Sequence, residues 1–503
     1  MKACFLLQRN FAYLGHILAI ILKNKYRVEQ FCGFVNLRSS HDFLKNQKDI
    51  DYSSLLLDED IHEEFKNTKL DLDFLKKMEK DYGIPNLWPY IAIDRVIMSN
   101  QLVREYPYDK SPYNYEEILR ILQIKAKTIL NFLKTEKPDF IVFSAVAAMG
   151  SMLLFHMAKK MGIKTFVIHP SYIKNSYLLS EKYDDFSYVK ETANSYLEKN
   201  IIPETVLEKA KLFLENFRSA PHPHYEPAHP SKQPLQRAKQ FQFLLPKNLK
   251  NNIFSLAKNF YEHYSKKDRH DYDYIGPWNY LKDSFKRKIR NLIGINDLYD
   301  QSIPNEDFAF YPLHVEPEIA TLLYAPFFTD QIHLIKLIAR SLPVGYKLYV
   351  KEHPMMVVYR PRSFYKEIKK TPNVRLINPA VTSFELILNA KLITTISGSV
   401  GWEGTLLKKP VITFGNIFYN QLSFVKHCKT PEEMPYLVKE QLENFKFDEN
   451  ELSRLIAAIF EESVDVPLSY LWEKETDSEK RKAGLEPLAE LIMKKFTFKN
   501  VYA

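Results

Sequence analysis

Cysteine is scarce in this chain. Cys4, Cys32 and Cys428 are the three among 503 residues, far apart and without metal-ligand spacing. That excludes a disulfide framework and a thiolate metal cluster, and it predicts a reducing compartment with the three thiols packed as small hydrophobes. Charge of one sign is also in short supply. The net charge of +9 permits contact with anionic lipid or a phosphorylated ligand but is too small for a uniform nucleic-acid binder. Long apolar runs are nearly absent. The longest uncharged stretch, Phe140 to Ala158, approaches the ~20 residues of a membrane span. Gly150, two serines and His156 interrupt it, so strand, turn and helix fit it better. "FAYLGHILAIILK" has no small-residue cleavage pattern, and no secretory signal is expected. No G-x-x-x-x-G-K-[ST] occurs, which argues against P-loop ATP hydrolysis, and the first half carries no G-x-G-x-x-G fingerprint.

What is present is apolar and aromatic: 46% and 14% of the residues. A chain so composed and so long builds two or three packed domains and is not disordered. The first 200 residues alternate between strands and helices. "KACFLLQ", "YRVEQFCGFV", "FIVFSAV" and "KTFVIHP" read as strands, and "YNYEEILRILQIKAKTILNFLKTEKPD" as a long helix ended by Pro138. From about 215 to 300 the texture changes. "PHPHYEPAHPSKQP" cannot continue a helix or a central strand. Its His222, His224 and His229 could suggest metal, but the alternating prolines favour a linker. Lys286, Arg287, Lys288 and Arg290 beside Phe285, Ile289 and Leu292 suit a basic amphipathic helix at a membrane surface, or a solvated helix face. From Asn305 the alternation resumes, with "SFELILNA" as a short helix capped by Ser383. The predicted fold class is α/β, with parallel sheets covered by helices on both faces. The expected organisation is a first domain over 1–214, an insert over 215–304, a second domain over 305–470 and a closing helix over 471–503.

Ligands of open parallel sheets bind beyond the carboxyl ends of the strands. Three strand ends of the second half are polar. In "GYKLYVKEHPMM", Tyr346, Leu348 and Val350 alternate with Lys347 and Tyr349, and the strand then ends in Lys351, Glu352 and His353. Pro354 stops it and restricts the histidine before it. Lys351 and His353 both offer N–H donors to an anion. In "TTISGSVGWEG", Ser397, Gly398 and Ser399 bring hydroxyls and backbone N–H groups to a helix N-terminus, an anion site by geometry and dipole. Glu403 follows within a turn or so and could stabilise that helix start or accept hydrogen bonds from a ribose. In "YPLHVEPEIA", His314, Glu316 and Glu318 fall near the same rim, where a carboxylate could act as base, nucleophile or sugar-hydroxyl acceptor. Together these describe a site for a nucleotide sugar. No aspartate cluster suggests a bound divalent ion, so neither cofactor nor metal is expected. On the first domain, Arg9, Asn10 and His16 near the first strand end, with the "SAVAAMG" turn, are the acceptor-side candidates.

"YPLHVEPE", "LPVGYKLYVKEHP" and "LITTISGSVGWEGTLLKKPVITFGNIFY", in this order, resemble the bacterial capsule polysaccharide biosynthesis proteins, which include Kdo transferases. The resemblance is close from Phe308 to Tyr419. It implies a GT-B glycosyltransferase: two Rossmann-like domains across a cleft, the second holding the nucleotide sugar and the last helix crossing back to the first. It also implies that His353 and Ser397 to Ser399 contact the donor phosphate, that Glu403 contacts the ribose region, and that Glu318 stands near the acidic residue of members using CMP-Kdo. The local "HVEPE" departs from the glutamine-led acidic run of those members. The expected partners are a nucleotide-sugar donor and a glycan or lipid-linked acceptor, in the cytoplasm, with the 215–304 segment in peripheral contact with the inner membrane face. The alternatives are a CDP-polyol phosphotransferase, a nucleotide-sugar 2-epimerase, or a non-catalytic export scaffold.

Overall fold

The computed structural model describes residues 1–499 apart from 10, 100–110, 174, 224–241, 243–244 and 266–275. The first half is built on β1 (Lys2–Leu7), β2 (Gln30–Val35), β3 (Tyr52–Leu57), β4 (Phe140–Phe143), β5 (Lys164–Pro170) and β6 (Ser176–Ser180). The second holds β7 (Phe308–Pro312), β8 (Lys347–Lys351), β9 (Val374–Ile377), β10 (Leu392–Thr395), β11 (Val411–Thr413) and β12 (Val425–His427). A last strand, β13 (Ser463–Asp465), returns to the first sheet.

The second sheet is fully parallel, in the order β12-β11-β10-β7-β8-β9. This is the doubly wound order, with its direction of winding reversing between β7 and β10. The first sheet repeats it as β5-β4-β1-β2-β3, then adds β6 and β13 antiparallel at one edge. Its reversal point lies between β1 and β4. The α/β, two-Rossmann GT-B class implied by the resemblance is therefore what the structure shows.

Local chemistry explains the elements. Helix Tyr115–Glu136 starts at a reciprocal cap between Asn114 and Glu117 and stops at Lys137, which is left-handed, ahead of Pro138. The expected alternation in β8 does not survive. Leu348, Tyr349, Val350 and Lys351 are all buried, because a central parallel strand is covered on both faces. The Tyr349 ring stacks on Phe308 at 3.9 Å, and its hydroxyl donates to Glu306 at 2.7 Å. Helix Ser383–Asn389 is capped by Thr382, not Ser383; the Thr382 hydroxyl accepts from Glu385 N–H.

The halves meet through aromatics. Phe186 and Phe418 stack with centroids 4.4 Å apart, and Tyr172 lies 4.9 Å from Phe418. Helix Glu204–Ser219 runs through residue 214 and packs on helix Glu449–Glu462. The chain rejoins the first sheet at β13, ahead of 471, and helix Ser478–Lys499 then packs along Phe11–Tyr26. Phe140–Ala158 divides into β4, a turn and helix Met149–Lys160, and among the described residues no helix is long and apolar enough to cross a membrane.

Candidate active site

The carboxyl ends of β7, β8 and β10 converge on one rim, at the point where the winding reverses. Its foundation is Arg360. The guanidinium is 2% exposed and donates to Glu352, to Glu316 at 3.0 Å and to the His314 carbonyl at 2.6 Å. The face of Phe364 covers it, with centroid to guanidinium carbon at 4.9 Å. One buried cation thus ties the loop after β7 to the end of β8. Glu352 also accepts from the Tyr365 hydroxyl at 2.7 Å and from His353 N–H at 2.6 Å. Such a fork needs both carboxylates, because a guanidinium left alone in this interior would be very costly. The charge at the end of "YVKEHP" is therefore structural in Glu352 and turned to the rim in its two neighbours.

His353 is half-buried and begins the short 3-10 turn Pro354–Met356. Its Nδ1 accepts from Met355 N–H at 3.2 Å. That bond assigns the neutral ring a proton on Nε2, which can donate to an anion. Lys351 is buried, and its ammonium donates to the Ser383 hydroxyl at 3.0 Å. Burial lowers its pKa, and Glu403 opposes that shift.

Glu403, in helix Ser399–Leu406, is 5% exposed, and no hydrogen bond from the protein reaches its carboxylate among the described residues. It lines a cavity of about 200 Å³ with Tyr172, Phe213, Phe217 and Trp402. Burial pushes its pKa up to about 7, and Lys351 pulls against that rise. A carboxylate that lines a cavity and takes no donor from the described residues is poised for donors from a ligand.

The turn after β10 is tight for a reason. A Cβ on Gly398 would lie 2.9 Å from Thr395 Oγ1 and 3.1 Å from His314 Nε2, and one on Gly401 would lie 2.4 Å from the Tyr419 hydroxyl. That hydroxyl donates to the Gly398 carbonyl at 2.8 Å. No side chain caps helix Ser399–Leu406, whose N-cap is Gly398. Ser397 faces elsewhere: its hydroxyl donates to the Ala320 carbonyl at 3.2 Å, so it braces the turn. Sequence reasoning placed His314 at this rim but not its state. Its Nε2 sits 3.2 Å from Thr395 Oγ1, and its Nδ1 is buried. Burial first, then His353 and Arg360, lower its pKa to about 3, so it is neutral at physiological pH.

Glu318 is half-buried at the start of helix Ile319–Leu322, and its charge is felt by Tyr172 of the first half. Glu316, two residues earlier, is taken by Arg360. The acceptor-side candidates are not brought together. Arg9 is exposed and left-handed at the end of β1. Asn10 lies outside the described residues. His16 is buried in helix Phe11–Tyr26 with its Nδ1 3.1 Å from the Tyr52 hydroxyl, so it belongs to the packing and not to the rim. The "SAVAAMG" turn is closed by its own chain: Ser151 Oγ accepts from Ala147 and Ala148 N–H, and Asp94 accepts from Met149 N–H at 3.1 Å. His222 lies at the cavity, and His224 and His229 lie outside the described residues. Among the described residues no three of His, Cys, Asp and Glu converge to hold a metal. Arg360, Thr395, Tyr419 and Tyr172 were missed; a lone arginine nine residues beyond the end of β8 gives no periodic or motif signal.

Residues 245–426 match the family model described as capsule polysaccharide biosynthesis protein. The match contains the Phe308–Tyr419 stretch that carries the resemblance in sequence. Protein FixF of Sinorhizobium fredii is 32% identical over 115 residues, which are 22% of this chain and 27% of that protein. Among solved structures, Thermosulfurimonas dismutans KpsC, beta Kdo 2,7 transferase, is 12% identical, covering 72% of this chain and 89% of that one at a TM-score of 0.36. The Methanocaldococcus jannaschii UDP-GlcNAc 2-epimerase in complex with UDP-GlcNAc and UDP is 14% identical, covering 92% and 99% at 0.28. The fold rests on the strand orders above and not on these likenesses.

Proposed function

We propose that the chain is a glycosyltransferase of capsular or surface polysaccharide synthesis, with a nucleotide sugar as donor and a glycan or lipid-linked glycan as acceptor. The observation that carries this reading is Glu403: a buried carboxylate without a donor among the described residues, lining a cavity one turn into an uncapped helix. A ribose diol supplies the missing donors, and the attached phosphate then falls toward the helix start. The family match over 245–426 supports the same assignment.

Cleaving the sugar–phosphate bond leaves charge on the phosphate. Fixed donors in a closed cleft stabilise that charge as it develops. His353 Nε2–H, the Lys351 ammonium and the backbone N–H groups at Ser399 are the donors proposed. They handle the charge without a metal ion, so a chelator leaves turnover unchanged. Glu318 is the carboxylate proposed to act at the sugar, as nucleophile or base, because Arg360 holds Glu316 and Glu352. CMP-Kdo is the proposed donor; the resemblance, which implies an acidic residue near Glu318 in members using CMP-Kdo, supports it.

A thermal-shift screen with CMP, CDP, UDP and GDP tests the reading, on the wild type, His353→Ala and Glu403→Gln. Ligand binding raises Tm by mass action. CMP should stabilise the wild type and lose most of its effect in both variants. Stabilisation by UDP or GDP alone would change the donor class. Donor consumed without any acceptor would mean an epimerase. No nucleotide response would sink the site.

A further inference from the structure

Helix Pro277–Ile293 is mounted inside out. Three of its charges face the protein: Asp283 is 1% exposed and accepts from Arg287 at 2.8 Å, Arg287 lies over the Tyr359 ring at 5.3 Å, and Arg290 donates to the Tyr359 carbonyl. Its apolar side faces out. Trp278, Phe285, Ile289 and Leu292 repeat at helical spacing and are all exposed, Phe285 by 65%. The expectation of a basic face turned outward is thus corrected for Arg287 and Arg290.

Helix Pro246–Ser265 extends this surface. It packs on the second helix through Phe260, whose ring meets Trp278 edge-on at 5.1 Å, and through the Tyr264 hydroxyl, which accepts from Trp278 Nε1 at 3.2 Å. Its Ile253, Phe254 and Tyr261 are left exposed. At 1.5 Å per residue the helix is about 30 Å long. An apolar surface of that extent marks an interaction site.

We infer that these two helices form a docking face for an anionic phospholipid bilayer. Charge selects the occupant. The two helices carry eight lysines and arginines against Glu262 and Asp283. Lys250, Lys258 and Lys282 are exposed on the same helices, and Lys250 and Lys282 stand at helical spacing from Phe254, Trp278 and Phe285. A second copy on the same face would set these lysines against their own kind. Anionic headgroups complement them, and tryptophan and tyrosine settle at headgroup depth. The face lies outside the nucleotide cavity, so it stands or falls independently of the proposed donor.

The test is flotation of the full chain with phosphatidylglycerol-containing vesicles and with pure phosphatidylcholine vesicles. The wild type should float with the anionic vesicles and release at high salt. Phe254→Glu/Phe285→Glu should lower partitioning at least tenfold, and Lys250→Glu/Lys258→Glu/Lys282→Glu should abolish the preference for anionic lipid. Both variants should keep the wild-type circular dichroism and melting temperature, which separates lost docking from lost folding. A blue shift of tryptophan emission on vesicles should vanish in Trp278→Phe. Failure of the wild type to float, or flotation unmoved by the phenylalanine changes, overturns the inference. A dimer in solution that those changes break would give the face to a second copy and overturn it equally.

Discussion

The two halves place a strand, a turn and a helix at the same topological position, and they finish them differently. In the first half, β4 leads into helix Met149–Lys160. Asp94 reaches from elsewhere in the chain to accept from Met149 N–H, and Ser151 closes the turn. In the second, β10 leads into helix Ser399–Leu406, whose N-cap is Gly398 and which no side chain caps. The buried charges beneath follow the same division. Lys125 and Asp58 are in contact at 2.5 Å, 0% and 3% exposed. Lys351 bonds Ser383 instead, and Glu403 accepts no hydrogen bond from the described residues. The first half supplies its own anion and closes its own ion pair; the second leaves both open. A helix N-terminus attracts anions wherever it stands, so what makes a site is that the protein declines to fill it.

The largest expected effect comes from Arg360. Arg360→Met leaves Glu316 and Glu352 buried without their cation and should destabilise the fold by about 3–5 kcal/mol, read from urea unfolding. The open rim would collapse with it. Lys125→Met should cost a similar order of stability through Asp58 but leave nucleotide affinity unchanged in the folded protein, because that pair is closed.

Ser399→Asp makes the second helix resemble the first by giving it a carboxylate of its own. Nucleotide affinity, measured calorimetrically, should fall about a hundredfold, ~2.8 kcal/mol. Stability should rise by roughly 0.3–1 kcal/mol, since an acid in the first turn suits the dipole. A variant that lost affinity and stability together would argue that the turn had simply broken.

Glu403 sharpens the comparison through pH. Its carboxyl titrates near 7 in the folded protein and near 4.5 when unfolded. Between those values the folded state holds a proton that the unfolded state has released. Stability is therefore lost as pH rises through that window and then levels off. Glu403→Gln should flatten the slope, shrinking the difference in unfolding free energy between the two ends of the window by about 1–3 kcal/mol. An unchanged pH profile would mean the carboxylate is satisfied after all.

The smallest effect is expected at the closed counterpart. Asp94→Asn removes the charge and leaves one acceptor where the carboxylate uses both oxygens, Oδ2 for Met149 N–H and Oδ1 for Val96 and Ile97 N–H. It should cost roughly 1 kcal/mol in stability and nothing in nucleotide affinity.

Much of this molecule was readable along the chain. Strands β1, β4, β5, β7, β8 and β10 and the helices between them follow from runs of apolar residues and their breakers, because each is decided by neighbours within a few positions. "KEHP" and "SGS" could be placed at strand ends for the same reason. The short strands β6, β12 and β13 were not legible, since three to five residues with pairing partners elsewhere carry no period. Ser383 was read as a cap and proves to hold Lys351; Thr382, one position earlier, does the capping. Ser397 was read as a phosphate contact, and its hydroxyl is spent on Ala320. His16 was read at the rim, and the pitch of its helix turns it onto Tyr52.

The sequence by itself determined the α/β class, the strand ends that carry polar residues and the family to which 245–426 is matched. All are local patterns or ordered motifs. Tertiary structure alone decided which charges are closed and which are open. Glu316, Glu352 and Arg360 lie up to 44 positions apart yet share one buried fork. The environment of Glu403 is set by Tyr172 and Phe213, which come from the other side of the insert. Whether a buried charge is satisfied depends on groups that the chain brings together only by folding, and no spacing within a motif reports it.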